Sequence, residues 1–227
     1  MIYQRISTLP VLKPKLAIFG GTGGLGQWVS PLLENDFQIL SLGSKGPRVE
    51  SSFSVNRFFE KEGYIPYIIY MAVKNFDSVI HKIRGTAVIV QTEVNIYGFV
   101  NVLRFSLPFM RENKYGRIIY ISSILSERPI PGTGIYAATK AFNDSIIKTC
   151  ALENAKYDIT CNSLQLGYFD AGLTHTVPKE IMNKVMEKIP VDRLGNANDL
   201  NTAIRFIFDS PYLTGVNLPL SGGLNIT

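Results

Sequence analysis

A five-residue apolar run, Lys15–Phe19, leads straight into Gly-Gly-Thr-Gly-Gly-Leu-Gly (20–26) and then into a helix-periodic stretch from Leu25 to about Glu34. No other segment limits the fold as strongly. Glycines let the backbone turn within a few residues and bring its N–H groups close to an anion, and the N-terminus of the next helix favours negative charge. Three glycine registers fit: 20, 24 and 26; 20, 23 and 26; or 21, 23 and 26. The spacing leaves the choice open, and a flexible turn without a ligand is the plainer alternative. Placement behind the first strand favours a pyrophosphate cradle made of Gly20, Gly21, Thr22, Gly23, Gly24, Leu25 and Gly26.

The rest of the chain repeats the alternation. Further strands are expected at Phe37–Leu42, Ser52–Val55, Ile65–Ala72, Arg117–Ser122, Asp158–Leu164 and Gly215–Leu220. Helices are expected around Arg57–Glu62, Thr86–Phe105, Tyr136–Asn154 and Asn198–Asp209. The polar segment 167–190 reads as a lid with one short helix near Lys179–Lys188. Such alternation predicts an α/β fold: a doubly wound, mostly parallel sheet with helices on both faces, in one domain covering 1–227.

Chemistry is concentrated between Gly116 and Phe142. Tyr136 and Lys140 are four apart, so a helix stacks them on one face, and Ser123 ends a strand-like run thirteen residues before the tyrosine. A hydroxyl donor, a phenol and an ammonium can move a proton to or from a carbonyl or alcohol oxygen. The phenol ordinarily titrates near 10, and a neighbouring ammonium is expected to lower that value. The pattern Tyr-x-x-x-Lys is common enough to occur twice, but at Tyr70 and Lys74 the position thirteen residues upstream is Arg57. Only the Tyr136 copy combines serine, strand and helix.

The formal net charge of +5 is scattered, so no dense basic run points to nucleic acid. No apolar run is long enough to span a membrane, and the N-terminal MIYQRISTLPVLKPK reads as a lead-in, not a signal peptide. Cys150 and Cys161 form no metal-ligand pattern and are expected to be buried thiols of a cytoplasmic protein. After the second strand, an acid would select NAD through the ribose 2′-hydroxyl. Leu42-Gly43-Ser44-Lys45 stands there instead, with Arg48 close behind and no acid before Glu50. Ser44 and Lys45 suit a 2′-phosphate, so NADP(H) is the expected cofactor.

Taken together, the glycine turn, Ser123, Tyr136-Ala-Ala-Thr-Lys140, Arg193-Leu194-Gly195, Thr214-Gly215 and Ser221-Gly222-Gly223 make the chain resemble the short-chain dehydrogenase/reductase family. The resemblance implies a Rossmann-like fold with seven strands. It also implies homodimers or homotetramers, often built through the helices that carry Asn95 and Tyr136. Ser123, Tyr136 and Lys140 become the catalytic group, and Asn95, in TEVNIYG, holds a water of a proton relay. Ala72, Asn56 (toward adenine) and Gly167 join the cofactor site. The family's Asn-Asn-Ala-Gly is replaced by Tyr70-Met71-Ala72-Val73, and its Pro-Gly by Leu166-Gly167, which suggests a looser turn. The short stretch between Leu42 and Ile65 suggests that the helix joining strands two and three is missing.

The expected activity is interconversion of a carbonyl and a secondary alcohol, as a reductase of a 3-oxoacyl thioester or another ketone. A nucleotide-sugar epimerase or dehydratase of the extended branch, and a non-catalytic cofactor sensor, are the alternatives. Tyr168 and Phe169 are candidates for the substrate pocket, and His175 for a substrate contact.

Overall fold

The computed structural model describes residues 12–227, so the first eleven residues of the lead-in lie outside it. Among the described residues six strands form: β1 (Lys15–Phe19), β2 (Gln38–Leu42), β3 (Tyr67–Tyr70), β4 (Gly116–Ser123), β5 (Ile159–Leu166) and β6 (Asn217–Leu220). The helices are α1 (Gly24–Leu33), α2 (Ser52–Glu62), α3 (Gly85–Thr92), α4 (Gly98–Asn113), α5 (Gly134–Asn154), α6 (Lys179–Met186) and α7 (Ala197–Phe208). All strand pairs are parallel, in the order β2-β1-β3-β4-β5-β6. The chain passes from β1 to β2 on one side and returns to β3 on the other. A doubly wound sheet opens a crevice at that reversal, beyond the carboxyl ends of its strands.

Side-chain alternation places one core on each face of the sheet. Ala17, Phe19, Ile68, Tyr70, Ile118 and Tyr120 pack against Val55, Phe59, Phe99, Val102 and Ile147 of α2, α4 and α5. Leu16, Ile18, Ile69, Ile119 and Leu164 pack against Val29, Leu33, Leu200 and Ile204 of α1 and α7. Each fully buried valine, leucine, isoleucine or phenylalanine among them contributes about 1.5–3 kcal/mol. β4 and β5 are buried at every position, as parallel strands covered on both faces must be. Cys150 and Cys161 meet inside, sulfur to sulfur at 3.2 Å, as free buried thiols.

One sequence expectation fails here. Residues 52–55 are not a strand, so the sheet has six strands rather than seven. Ser51 accepts a hydrogen bond from Ser54 N at 3.3 Å and caps α2, whose buried residues Val55 and Phe59 are four apart. α2 takes in the helix expected at Arg57–Glu62 and begins five residues earlier, at Ser52, and no helix lies between Leu42 and Ser52. α2 packs on α4 and covers that face of the sheet.

Candidate active site

A cleft of about 710 Å³ opens at the carboxyl ends of β1, β3, β4 and β5. Its floor is the glycine turn. Gly20 has φ +91°, and a Cβ there would lie 2.6 Å from Ala72 N, because β1 and β3 leave the sheet side by side. The Gly20 and Gly21 N–H groups donate to Leu42 O at 2.8 and 2.9 Å, and Gly23 N–H to Gly20 O at 3.0 Å, which fixes the turn. Gly23 precedes α1 with no side-chain cap, so the first-turn N–H groups of the helix have no intrahelical or capping partner. Bare donors, a helix dipole and a surface without side chains suit a pyrophosphate. The residues present fit a dinucleotide.

On the other side of the cleft, β4 delivers Ser123 and α5 delivers Tyr136 and Lys140, all lining it. Ser123 Oγ accepts from Leu125 N at 3.2 Å, which fixes the start of the turn behind the strand. Burial of its hydroxyl pushes the Tyr136 pKa up to about 12; the hydrogen bond with Ser123 pulls it the other way, and Asp77 and Tyr168 add to the rise. The expected lowering of the phenol by Lys140 is not what the geometry gives. Lys140 Nζ donates to Ile121 O at 2.6 Å and lies 5.6 Å from the centre of the Tyr136 ring, over its face. Burial lowers the Lys140 pKa to about 7, with Asp144 opposing the fall.

Asn95 lies in a π-helical turn, Glu93–Tyr97, that joins α3 to α4. Its side chain bridges two segments. Oδ1 accepts from Lys74 N at 2.8 Å, and Nδ2 donates to Lys74 O at 2.9 Å and to Thr139 Oγ1 at 3.1 Å. Its own carbonyl accepts from Asn143 Nδ2 at 2.6 Å. Asn95 thus braces the segment after β3 against α5. The Tyr70 departure also finds its reason here. The ring stacks between Phe19 and Tyr120, with centroids 6.0 and 6.2 Å away, and its hydroxyl donates to Val94 O in the π turn at 2.6 Å. Tyr70 is a core residue, and Ala72, two positions on, lines the cleft as expected.

The far end of the cleft brings some of the expected cofactor residues together and leaves others out. Ser44 lines it, but Lys45 does not; Arg48 takes that place. Asn56 points along α2 to Glu60 Oε1 at 2.7 Å and is absent from the lining, because an i, i+4 partner on the exposed helix face captures its amide. Leu42, Val49, Ala72 and Val94 form apolar walls there instead. Arg48 Nε bonds Glu50 Oε1 at 2.9 Å, and both residues reach the cleft, as does Lys74. Sequence reasoning missed Val49, Glu50, Lys74 and Val94. The one usable signal was Ser51, whose capping role places the residues just before it at the cleft.

Gly167 does not form a loose turn. Its N–H donates to Leu220 O at 3.0 Å, and a Cβ there would lie 2.8 Å from Ser221 Cα. Phe169 lines the cleft, Tyr168 only a smaller neighbouring pocket, and His175 is held away by Asp170 at 3.0 Å. The segment after β5 comes down on the glycine turn, where Gly24 and Gly172 touch, and brings Leu173 and Thr174 over the cleft.

A family model described as enoyl-(acyl carrier protein) reductase matches residues 69–225, from β3 through the Ser123–Tyr136–Lys140 group to the C-terminal glycines. The chain belongs to the short-chain dehydrogenase/reductase family. As a short-chain dehydrogenase/reductase it is an NAD(P)-dependent oxidoreductase. It is 30% identical over 177 residues to acetoacetyl-CoA reductase of Allochromatium vinosum, covering 77% of this chain and 72% of that one. It is 26% identical over 232 residues to carbonyl reductase family member 4 of Xenopus laevis, covering 92% and 97%. A crystal structure of a small-chain dehydrogenase in complex with NADPH superposes with a TM-score of 0.85 at 21% identity, covering 95% of this chain and all of the other. That last likeness is one of fold.

Proposed function

We propose that the protein is an NADP(H)-preferring reductase that converts a ketone, with a 3-oxoacyl thioester as the leading substrate class, to a secondary alcohol. The observation that carries this reading is the meeting of Ser123, Tyr136 and Lys140 in the cleft that holds the glycine turn. Two relatives support the substrate class, being named for reduction of acetoacetyl-CoA and of carbonyl compounds. One catalytic domain suffices for the reaction.

The nicotinamide, when bound, supplies the hydride. Ser123 donates a hydrogen bond to the substrate oxygen and stabilises the charge that grows there. Tyr136 keeps its proton through neutral pH, since its pKa stands near 12, and gives it to that oxygen. Lys140 holds the ribose. The first turn of α1 holds the pyrophosphate, and Gly167 allows close approach at the nicotinamide end. Ser44 and Arg48 receive the 2′-phosphate. Asn95 positions the group through Lys74 and Thr139.

The protein acts in the cytoplasm as a homodimer or homotetramer; large exposed apolar side chains along α3, the π turn and α5 (Ile89, Tyr97, Phe142 and Leu152) support the assembly. Among the described residues, no helix is long and apolar enough to cross a membrane.

Oxidation of NADPH and of NADH, followed by absorbance with acetoacetyl-CoA, other 3-oxoacyl thioesters and simple ketones, tests the reading. NADPH is expected to be consumed with the 3-oxoacyl thioesters, at least about tenfold faster than NADH, the worth of a single good contact to the phosphate. Tight NADPH binding with no turnover on any of these substrates would overturn it in favour of a sensor.

A further inference from the structure

Two charge-bearing groups are buried one helical turn apart on α5, and each is hydrogen-bonded only to neutral partners. Lys140 is 3% exposed; its ammonium donates to Ile121 O and lies over the rings of Tyr120 and Tyr136 at 4.8 and 5.6 Å. Asp144 is 4% exposed; it accepts from Ser163 Oγ at 2.7 Å and from Gln165 Nε2 at 3.0 Å. Among the described residues no ammonium or guanidinium nitrogen stands within 4.0 Å of the Asp144 carboxylate. Positions i and i+4 face each other at about 5–6 Å between Cβ atoms. A buried charge without a counter-charge is costly, and here each lies within reach of the other's field.

We infer that Asp144 is a positioning residue for the active site: its carboxylate is the counter-charge that stabilises the ammonium form of Lys140, and Ser163 and Gln165 on β5 hold it in place. The anchor extends further. Gln165 Nε2 also reaches Ser126 Oγ at 2.9 Å and Glu127 Oε1 at 3.0 Å, in the turn that follows Ser123. One polar network therefore ties the counter-charge of Lys140 to the segment that presents the catalytic serine.

The other groups around the pair are accounted for. Tyr136 on α5, Tyr120 on β4 and Tyr70 on β3 all have raised pKa values, caused first by burial, and are neutral through the physiological range. Asp77 acts on Tyr136 from the segment after β3, and Glu127 sits one amide away from Asp144. Burial lowers the Lys140 pKa and Asp144 is the one cause that raises it, in agreement with the geometry.

The consequence for catalysis rests on the reading of Lys140 as the ribose holder, whereas the pairing itself can be measured on the cofactor-free protein. The experiment is a ¹³C-lysine NMR titration, with Lys140→Arg used to assign the signal. Asp144→Asn is nearly isosteric, and its amide can donate to Ser163 Oγ while its oxygen still accepts from Gln165. This variant is expected to lower the Lys140 midpoint by about 1–3 pH units. Ser163→Ala, which loses an anchor but keeps the charge, is expected to leave the midpoint near the wild-type value. Asp144→Ala serves the same purpose should the asparagine variant not fold. An unchanged Lys140 midpoint in a folded variant lacking the carboxylate would overturn the inference, as would an equal shift in Ser163→Ala. NADPH binding, measured by fluorescence, is expected to weaken as pH rises through the Lys140 midpoint, and in Asp144→Asn that fall moves to lower pH by the same interval. A moved lysine midpoint with an unmoved binding curve would support Asp144 as the counter-charge and remove Lys140 from the ribose.

Discussion

At the scale of single residues, the site is assembled by spacing along one strand end and one helix. Ser123, Tyr136 and Lys140 reach one cleft because a strand end and an i, i+4 helix pair leave little geometric freedom. Partner choice was not legible in the sequence. Asn56 turns to Glu60, Lys45 gives way to Arg48, and Asn95 binds Lys74 and Thr139, each decided by atoms distant in sequence or by a competing neighbour. Lys140 is the residue whose burial makes the sharpest prediction. Its native pKa of about 7 lies below the value of 10.5 for a free lysine, so the unfolded chain binds more protons between those values and stability rises with pH across that window. Relative to Lys140→Met, the wild type is expected to gain about 2–3 kcal/mol between pH 6 and pH 9. Urea unfolding at the two pH values checks this; a pH-independent difference would mean that the lysine is not buried as an ionisable group.

At the scale of elements, the strand–glycine turn–helix unit was read correctly, because its constraint is local. Gly20 needs both its positive φ and the space that Ala72 N leaves. Gly20→Ala is expected to destabilise the fold by more than about 1 kcal/mol in a denaturant melt and to abolish NADPH binding. The segment 52–55 was misread as a strand because Ser-Phe-Ser-Val alternates, while its true period appears only when Phe59 is included. The π turn had no signal in sequence. It exists where Tyr70 takes up the Val94 carbonyl and Asn143 that of Asn95, two long-range donors meeting one stretch of helix.

At the scale of the whole molecule, alternation of strands and helices sufficed to give a parallel, doubly wound sheet, and the loss of one strand leaves β2 as an edge. Topology then puts every element of the site at one end of the sheet. Assembly belongs to this scale as well. Phe142 and Leu152 on α5 are 45% and 85% exposed, and burying them against a second copy would remove apolar surface from water. Sedimentation is expected to show a dimer or tetramer, and the pair Phe142→Arg with Leu152→Glu to shift it toward monomer; a wild-type monomer at micromolar concentration would contradict the proposed assembly. Tyr136 is proposed to deliver the proton in reduction of a ketone by NADPH. Tyr136→Phe, assayed with NADPH and a 3-oxoacyl thioester beside a fluorescence measurement of NADPH affinity, tests it most directly. The expected result is a fall in kcat of about 10²–10⁴-fold with NADPH affinity preserved. Wild-type turnover by the phenylalanine variant would contradict it.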